Sequence, residues 1–441
     1  MKLPGIKGFD EAAFNKYLKN TGWLMVARVG SLGIKICVNI AVSNYLGKHS
    51  FGMLNYTSAF VTFFIAAAAL GLDGFVTREL LRKPNRQDQL LGTAFFLKLA
   101  GGIAVIPLMY AVYMAISSSK PIETPVSYIM IVSIAGLLQA FSIIDSFFQF
   151  RTQGKFIMRV QVTANLLSAA LKLALILSHC PLIWFIIALL ADFLFIAIGY
   201  IYLYRQKEGP LLKWRFDGNT AAYLFRNSWP LAFSAILVSI YLNIDQLMIE
   251  YYRGAGDVGI YSNVVSLAGS WYFIPVAIVT SVFPAIMNAR RDDPERYLKR
   301  MQNLYDLMVW ISLFLAITIS FASPLIFKVF KPEYQPGAPV LSIHIWAGIF
   351  VFLGTASGQF LIAEGYVKMS MIRTAAGAAI NILLNIFWIP RYGISGAAFA
   401  TLIAYATSAF WLLLVPATRQ QGMMMLKSLL LITLVQKLRR R

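Results

Sequence analysis

Residues 44–76 read NYLGKHSFGMLNYTSAFVTFFIAAAALGLDGFV, with no charged side chain from Ser50 through Leu72. An uncharged run of that length spans the roughly 30 Å hydrocarbon core of a bilayer as a helix. In lipid a segment must satisfy its own backbone hydrogen bonds, which leaves helices or closed barrels, and the alternating ten-residue strands of a barrel do not occur here. Working outward, the same pattern recurs near 22–46 and 52–76, then near 90–116, 126–150, 157–178 and 181–203. After a longer polar loop it resumes near 227–251, 258–287, 303–330, 337–363, 370–390 and 393–416. The expectation is an all-α membrane protein of about twelve transmembrane helices in two six-helix lobes. Composition agrees: 59% of the 441 residues are hydrophobic and 13% charged, against about 25% charged in an ordinary soluble domain.

The formal charge of +20 is a matter of topology. Of the 39 lysines and arginines, 29 fall in the N-terminus, the tail and alternate loops, and six fall in the intervening loops. Short cytoplasmic loops hold the excess, so both termini are expected in the cytoplasm, with anionic lipid as the counter-charge and no nucleic-acid partner. No apolar h-region precedes residue 20, so the first helix is read as its own insertion signal. Cys37 and Cys180 have no metal or disulfide spacing and are read as packing residues.

Tyr45-Leu-Gly47-x-x-x-Phe51-Gly52 recurs as Tyr252-Arg-Gly254-x-x-x-Val258-Gly259, 207 positions later. A repeat that closes the first helix and opens the second helix of each half predicts two lobes related by an axis along the membrane normal. The boundaries follow: an N-lobe over 1–204, a cytoplasmic linker over 205–226, a C-lobe over 227–416 and a tail over 417–441. The segment 423–435 is short for a span and reads as interfacial, with a thirteenth span as the alternative.

Ionisable residues within spans are costly, so each is a candidate for function. The cations are Arg28, Lys35, Lys98 and Lys172, all in the first half. Arg28 and Lys35, two turns apart, share a helix face, and buried cations suit an anionic ligand such as a phosphate. The alternative is that Arg28 snorkels and that Lys98 and Lys172 pair with acids. Asn39 and Asn243, each in the first helix of its half, are candidate cavity residues. Asp245 is the leading coupling or gating acid, followed by Asp192 and Asp145, while Asp73 and Glu250 read as interfacial. Pro275 in WYFIPVAIVTSVFP (271–284) frees a backbone carbonyl and predicts a bent, gating helix. No metal or hydrolase motif is present.

NYLGKHSFGMLNY (44–56), LGLDGFVTREL (70–80), IDQLMIEYYRGAGDVGIYS (244–262) and WYFIPVAIVTSVFP, in this order and spacing, resemble the polysaccharide-unit flippases of the multidrug/oligosaccharidyl-lipid/polysaccharide exporter superfamily. The resemblance covers essentially the whole chain. It implies an inner-membrane carrier of undecaprenyl-pyrophosphate-linked oligosaccharide that works by alternating access and is driven by proton or sodium exchange. Arg28, Lys35, Lys98, Lys172 and Asn39 would then face the substrate, with a polysaccharide polymerase as a further partner. A cation-coupled multidrug exporter of the same fold, an enzyme of lipid-linked glycan assembly and a non-transporting scaffold are the alternatives.

Overall fold

The computed structural model describes residues 11–433, with side chains from Gly30 onward except at 284, 289, 291, 292 and 367. Among the described residues every regular element is a helix. Ten helical stretches are long and apolar enough to cross a bilayer: Gly30–Arg82, Pro84–Ser119, Val126–Phe150, Gly154–Leu177, Leu182–Lys207, Gly218–Arg253, Ala255–Asn288, Pro294–Phe327, Gly337–Ala363 and Lys368–Leu413.

The first and last, of 53 and 46 residues, would overshoot a 30 Å core about twofold at 1.5 Å per residue. Each folds back on a glycine, Gly47 at φ 75° and Gly393 at φ 59°, a backbone region that side chains disfavour. The reversal shows in what faces what. Lys35, Asn39 and Val42 line one cavity together with Ser58, Asn55 and Phe51, and Gly377 lies against Ser408. Divided at the two glycines, the described residues make twelve spans, referred to below in chain order. The seventh starts at Gly218, inside the stretch read as linker.

The 207-residue repeat has a structural counterpart. Gly47 turns the first span into the second, and Gly254, at φ 89°, turns the seventh into the eighth. The two turns then press their backbones together. A side chain at Gly52 would overlap the carbonyl oxygen of Ala255, and one at Gly259 would overlap the carbonyl oxygen of Lys48. Each contact is the other shifted by 207 positions. This is a two-fold crossing that only glycine permits.

Around the crossing lies one apolar core shared by both halves, containing Val42, Phe51 and Phe60 from one side and Tyr261, Phe327 and Ile394 from the other. At the opposite end of the bundle the core divides. One cluster joins Phe75, Leu91, Phe147 and Tyr204 of the first half with Leu224. The other, with Met301, Tyr305, Phe360 and Leu412, lies entirely in the second half.

The eighth span is interrupted between its helices Ala255–Gly269 and Phe273–Asp292. The break falls at Trp271, whose carbonyl stands four residues before Pro275 and so loses its helical donor. The tail helix Arg419–Leu429 has 11 residues, about half a bilayer in length, and is held by protein contacts. Gln421 accepts a hydrogen bond from Tyr305 at 3.0 Å, and Ser428 donates to Asp306 at 2.7 Å. Cys37, expected to pack inside, is exposed.

Gly52→Val is expected to cost about 2 kcal/mol or more through overpacking and to depress the melting midpoint in detergent. Gly74→Ala, where nothing lies within 4 Å, should leave it unchanged. Equal melts would show that the crossing tolerates a side chain.

Candidate functional site

The first half encloses a polar chamber. Lys35, Asn39 and Lys172 line a cavity of about 260 Å³ with Asp192, Asn55, Ser58 and Asn165. Ser31, Lys35 and Asn165 continue into a second cavity of about 420 Å³ that holds Asp145, Gln149 and Gln161 and extends to Gly154. Gly154 opens the fifth span, at the end of the bundle away from the glycine crossing.

The predicted cations separate on inspection. Lys35 lines both cavities and, among the described residues, has no ion pair or hydrogen bond. Lys172 also lines the chamber, but its ammonium donates to Asp192 at 2.7 Å and to Ser168 at 3.0 Å. Lys98 is a correction: its fully buried ammonium donates to Asp73 at 2.6 Å and to Ser142 at 2.5 Å, outside the chamber. The pairing reading therefore holds for Lys98, and Asp73, read as interfacial, is its counter-ion. The Arg28 side chain lies outside the described residues. Asn39 donates to Asn263 of the eighth span at 3.0 Å, tying the chamber wall to the second half. Asp145 faces the cavity and accepts from Gln149 at 3.0 Å. Asn243 turns back on its own helix, donating to the Ser239 carbonyl at 3.0 Å.

The second half holds a buried carboxylate, Asp245, that has no cation partner among the described residues. Asp245 accepts from Tyr261 at 2.7 Å, Asn385 at 2.7 Å and Thr401 at 2.5 Å. The seventh, eighth, eleventh and twelfth spans each supply one group. Asn381 Oδ1 accepts from Asn385 at 3.1 Å, while the buried Asn385 Oδ1 and His344 Nδ1 have no partner. The nest thus surrounds one buried carboxylate with hydroxyl and amide groups from three other spans.

At the crossing end, two carboxylates close the molecule. Glu123, on the loop between the third and fourth spans, accepts from the Ala255 backbone N–H at 2.7 Å. Glu333, on the loop between the ninth and tenth, accepts from the Lys48 backbone N–H at 3.2 Å. Ala255 and Lys48 are 207 positions apart, so the repeat extends to the loops: each half caps the turn of the other, where the amides of a helix N-terminus favour a carboxylate. Tyr334 donates to the Ser43 carbonyl at 2.8 Å. Glu250, expected at the interface, is instead buried and accepts from the Thr124 amide at 3.0 Å and hydroxyl at 2.9 Å.

A family model described as "Polysaccharide biosynthesis protein" matches residues 17–290. The chain belongs to this family. A second model, described as MatE, matches residues 230–387. Relatives of the family member include an uncharacterised membrane protein of Methanocaldococcus jannaschii, 22% identical over 88% of this chain and 82% of that one. The teichuronic acid biosynthesis protein TuaB of Bacillus subtilis is 23% identical over 69% of this chain and 63% of its own length. Among solved structures, an inward-facing multidrug resistance MATE family transporter superposes with a TM-score of 0.74, at 13% identity, over 89% of this chain and 95% of that one. The lipid II flippase MurJ gives 0.72, at 14% identity, over 94% and 92%. The family member is thus a multi-pass membrane protein of transporter or flippase type.

Sequence reasoning missed Arg373, which it counted among loop cations. The structure buries it inside the helix Val367–Phe410, where it donates to Ser357 at 2.8 Å and to the Gly354 carbonyl at 3.0 Å, with Nε unpartnered. Among the described residues no three His, Cys, Asp or Glu side chains converge as metal ligands.

The Lys98–Asp73 pair is lopsided, since the lysine side chain is fully buried and the aspartate 44% exposed. Asp73→Asn strands a buried ammonium and is expected to cost about 3 kcal/mol. Lys98→Met leaves a carboxylate that water reaches, and should cost much less. Detergent melts compare the two; the reverse order would mean that the ion pair does not govern this site.

Proposed function

We propose that the chain is an ion-coupled flippase that moves a polyprenyl-pyrophosphate-linked oligosaccharide, carried in bacteria by undecaprenyl, between the leaflets of the inner membrane. The observation that carries this reading is Lys35, an ammonium without a carboxylate partner among the described residues, in a chamber whose lining includes amides and hydroxyls such as Asn39, Asn55, Ser58 and Asn165. Amides and hydroxyls exchange hydrogen bonds with sugar hydroxyls, and the lysine supplies charge for phosphate. The prenyl tail can stay in lipid while the polar head crosses.

The positive-inside bias places the crossing end toward the periplasm. The shared core and the two glutamate caps then form a closed outer gate, and the divided end leaves the chamber reachable from the cytoplasm. Switching requires both caps to release. Asp245 and its oxygen nest provide a seat for the coupling cation, because hard cations take carboxylate, hydroxyl and amide oxygens. A cation bound there offsets the buried negative charge and so biases one conformation.

A cationic-drug exporter is the rival within the same fold. It would draw on Asp145 and Asp192, but Asp192 is already neutralised by Lys172. No chemical step is needed for the proposed task.

Lys35→Ala is expected to reduce export of lipid-linked glycan at least tenfold at normal protein level, read from the intermediate that accumulates on the inner leaflet; undiminished export would remove Lys35 from the substrate path. Glu123→Ala combined with Glu333→Ala should raise external labelling of a cysteine placed at Asn39, in a background with Cys37 and Cys180 replaced by serine. Unchanged labelling would mean that the caps do not hold the gate. Sodium chloride, compared with choline chloride, should raise the melting midpoint of the wild type but not of Asp245→Asn. An identical response in the variant would leave Asp245 a structural acid.

A further inference from the structure

We propose that the face of the fifth and sixth spans turned away from the chamber carries a site for one anionic phospholipid, with its phosphate on Lys155, Arg159 and Lys207. These three cations surround a single aromatic ring. Their charges lie 5.1, 5.8 and 5.2 Å from the centre of Phe156. None has a carboxylate partner among the described residues, and the adjacent Glu208 is turned toward Arg151 at 3.5 Å. Three like charges gathered at one ring raise the local positive potential, which an anion beside them would offset.

Beneath the cations runs a groove of about 560 Å³ between the two spans, with walls that include Leu167, Phe195, Ile198 and Tyr202. Gly199 makes its floor, since a side chain there would press into Val160. The spans therefore close behind the groove and leave it open outward. A charged mouth above an apolar trough is the shape of a lipid headgroup over its acyl chain, and basic pockets between spans on the cytoplasmic side recognise anionic headgroups.

The occupant is a bilayer phospholipid and not the transported molecule, for two reasons. The chamber lies on the other face of the fifth span, along Gln161, Asn165 and Lys172. The groove also has room for one acyl chain, and not for a long prenyl chain.

Delipidated protein in detergent, examined by native mass spectrometry against phosphatidylglycerol and phosphatidylcholine of the same chains, tests the site. Phosphatidylglycerol should remain bound and phosphatidylcholine should not. Replacing Lys155, Arg159 and Lys207 together by glutamine should weaken the adduct on the order of 100-fold. Lys155→Arg with Lys207→Arg should keep it. Thr163→Trp, which fills the groove and leaves the cations in place, should abolish it in protein that melts as the wild type does. Equal retention of the two lipids, or a glutamine variant that binds as tightly as the wild type, would overturn the proposal. So would preference for a polyprenyl phosphate, which would make the groove a substrate path.

Discussion

The structure depends on two backbones that touch. Where the turn at Gly47 meets the turn at Gly254, Gly52 and Gly259 each lie against a carbonyl of the other hairpin. In a bilayer no hydrophobic force separates helix from lipid, so close van der Waals approach at small residues is what brings spans together. Because the contact is reciprocal, it fixes the two halves at one end and leaves the other end free to differ. The shared core at the crossing and the divided cores opposite follow from that one constraint.

The same constraint explains why carboxylates on helix ends join the two halves here. Backbone amides that open the second and eighth spans have no helical partner. Glu123 and Glu333 satisfy them from the opposite half, with His49 3.5 Å from Glu123. The Glu333 contact is exposed and the Glu123 contact part-buried, and water can replace an exposed contact at small net cost. The Glu250–Thr124 contact joins the same two halves beside the Glu123 cap, but is buried.

Much of this was legible in the residues. The run from Ser50 to Leu72 marks a span, and the paired Tyr-x-Gly segments locate both turns. The repeat even anticipates the crossing, because identical glycines at identical positions mean identical steric demands. The partners of the charges were not legible. Lys98 and Asp73 are 25 positions apart on different spans, and hydropathy reports depth but not direction. Arg373 was missed for a related reason: near a helix end, a cation facing solvent and one facing a neighbouring helix have the same sequence signature. Glu250 was misplaced because its shelter comes from a loop more than a hundred residues away.

The fate of the four predicted cations bears on substrate more than their number does. A fully buried lysine matched to a carboxylate, as at Lys98, holds helices together and offers nothing to a ligand. A lysine matched within a wet chamber, as at Lys172, can exchange its partner for a substrate phosphate only by leaving Asp192 exposed, which makes it a candidate for sensing occupancy. Lys35 needs no exchange. Its ammonium is available at once, and it lies on the span that ends in the Gly47 turn. On the function proposed above, a negative head at Lys35 acts on the hairpin whose tip is capped by Glu333, so that load and gate share one element, as alternating access requires.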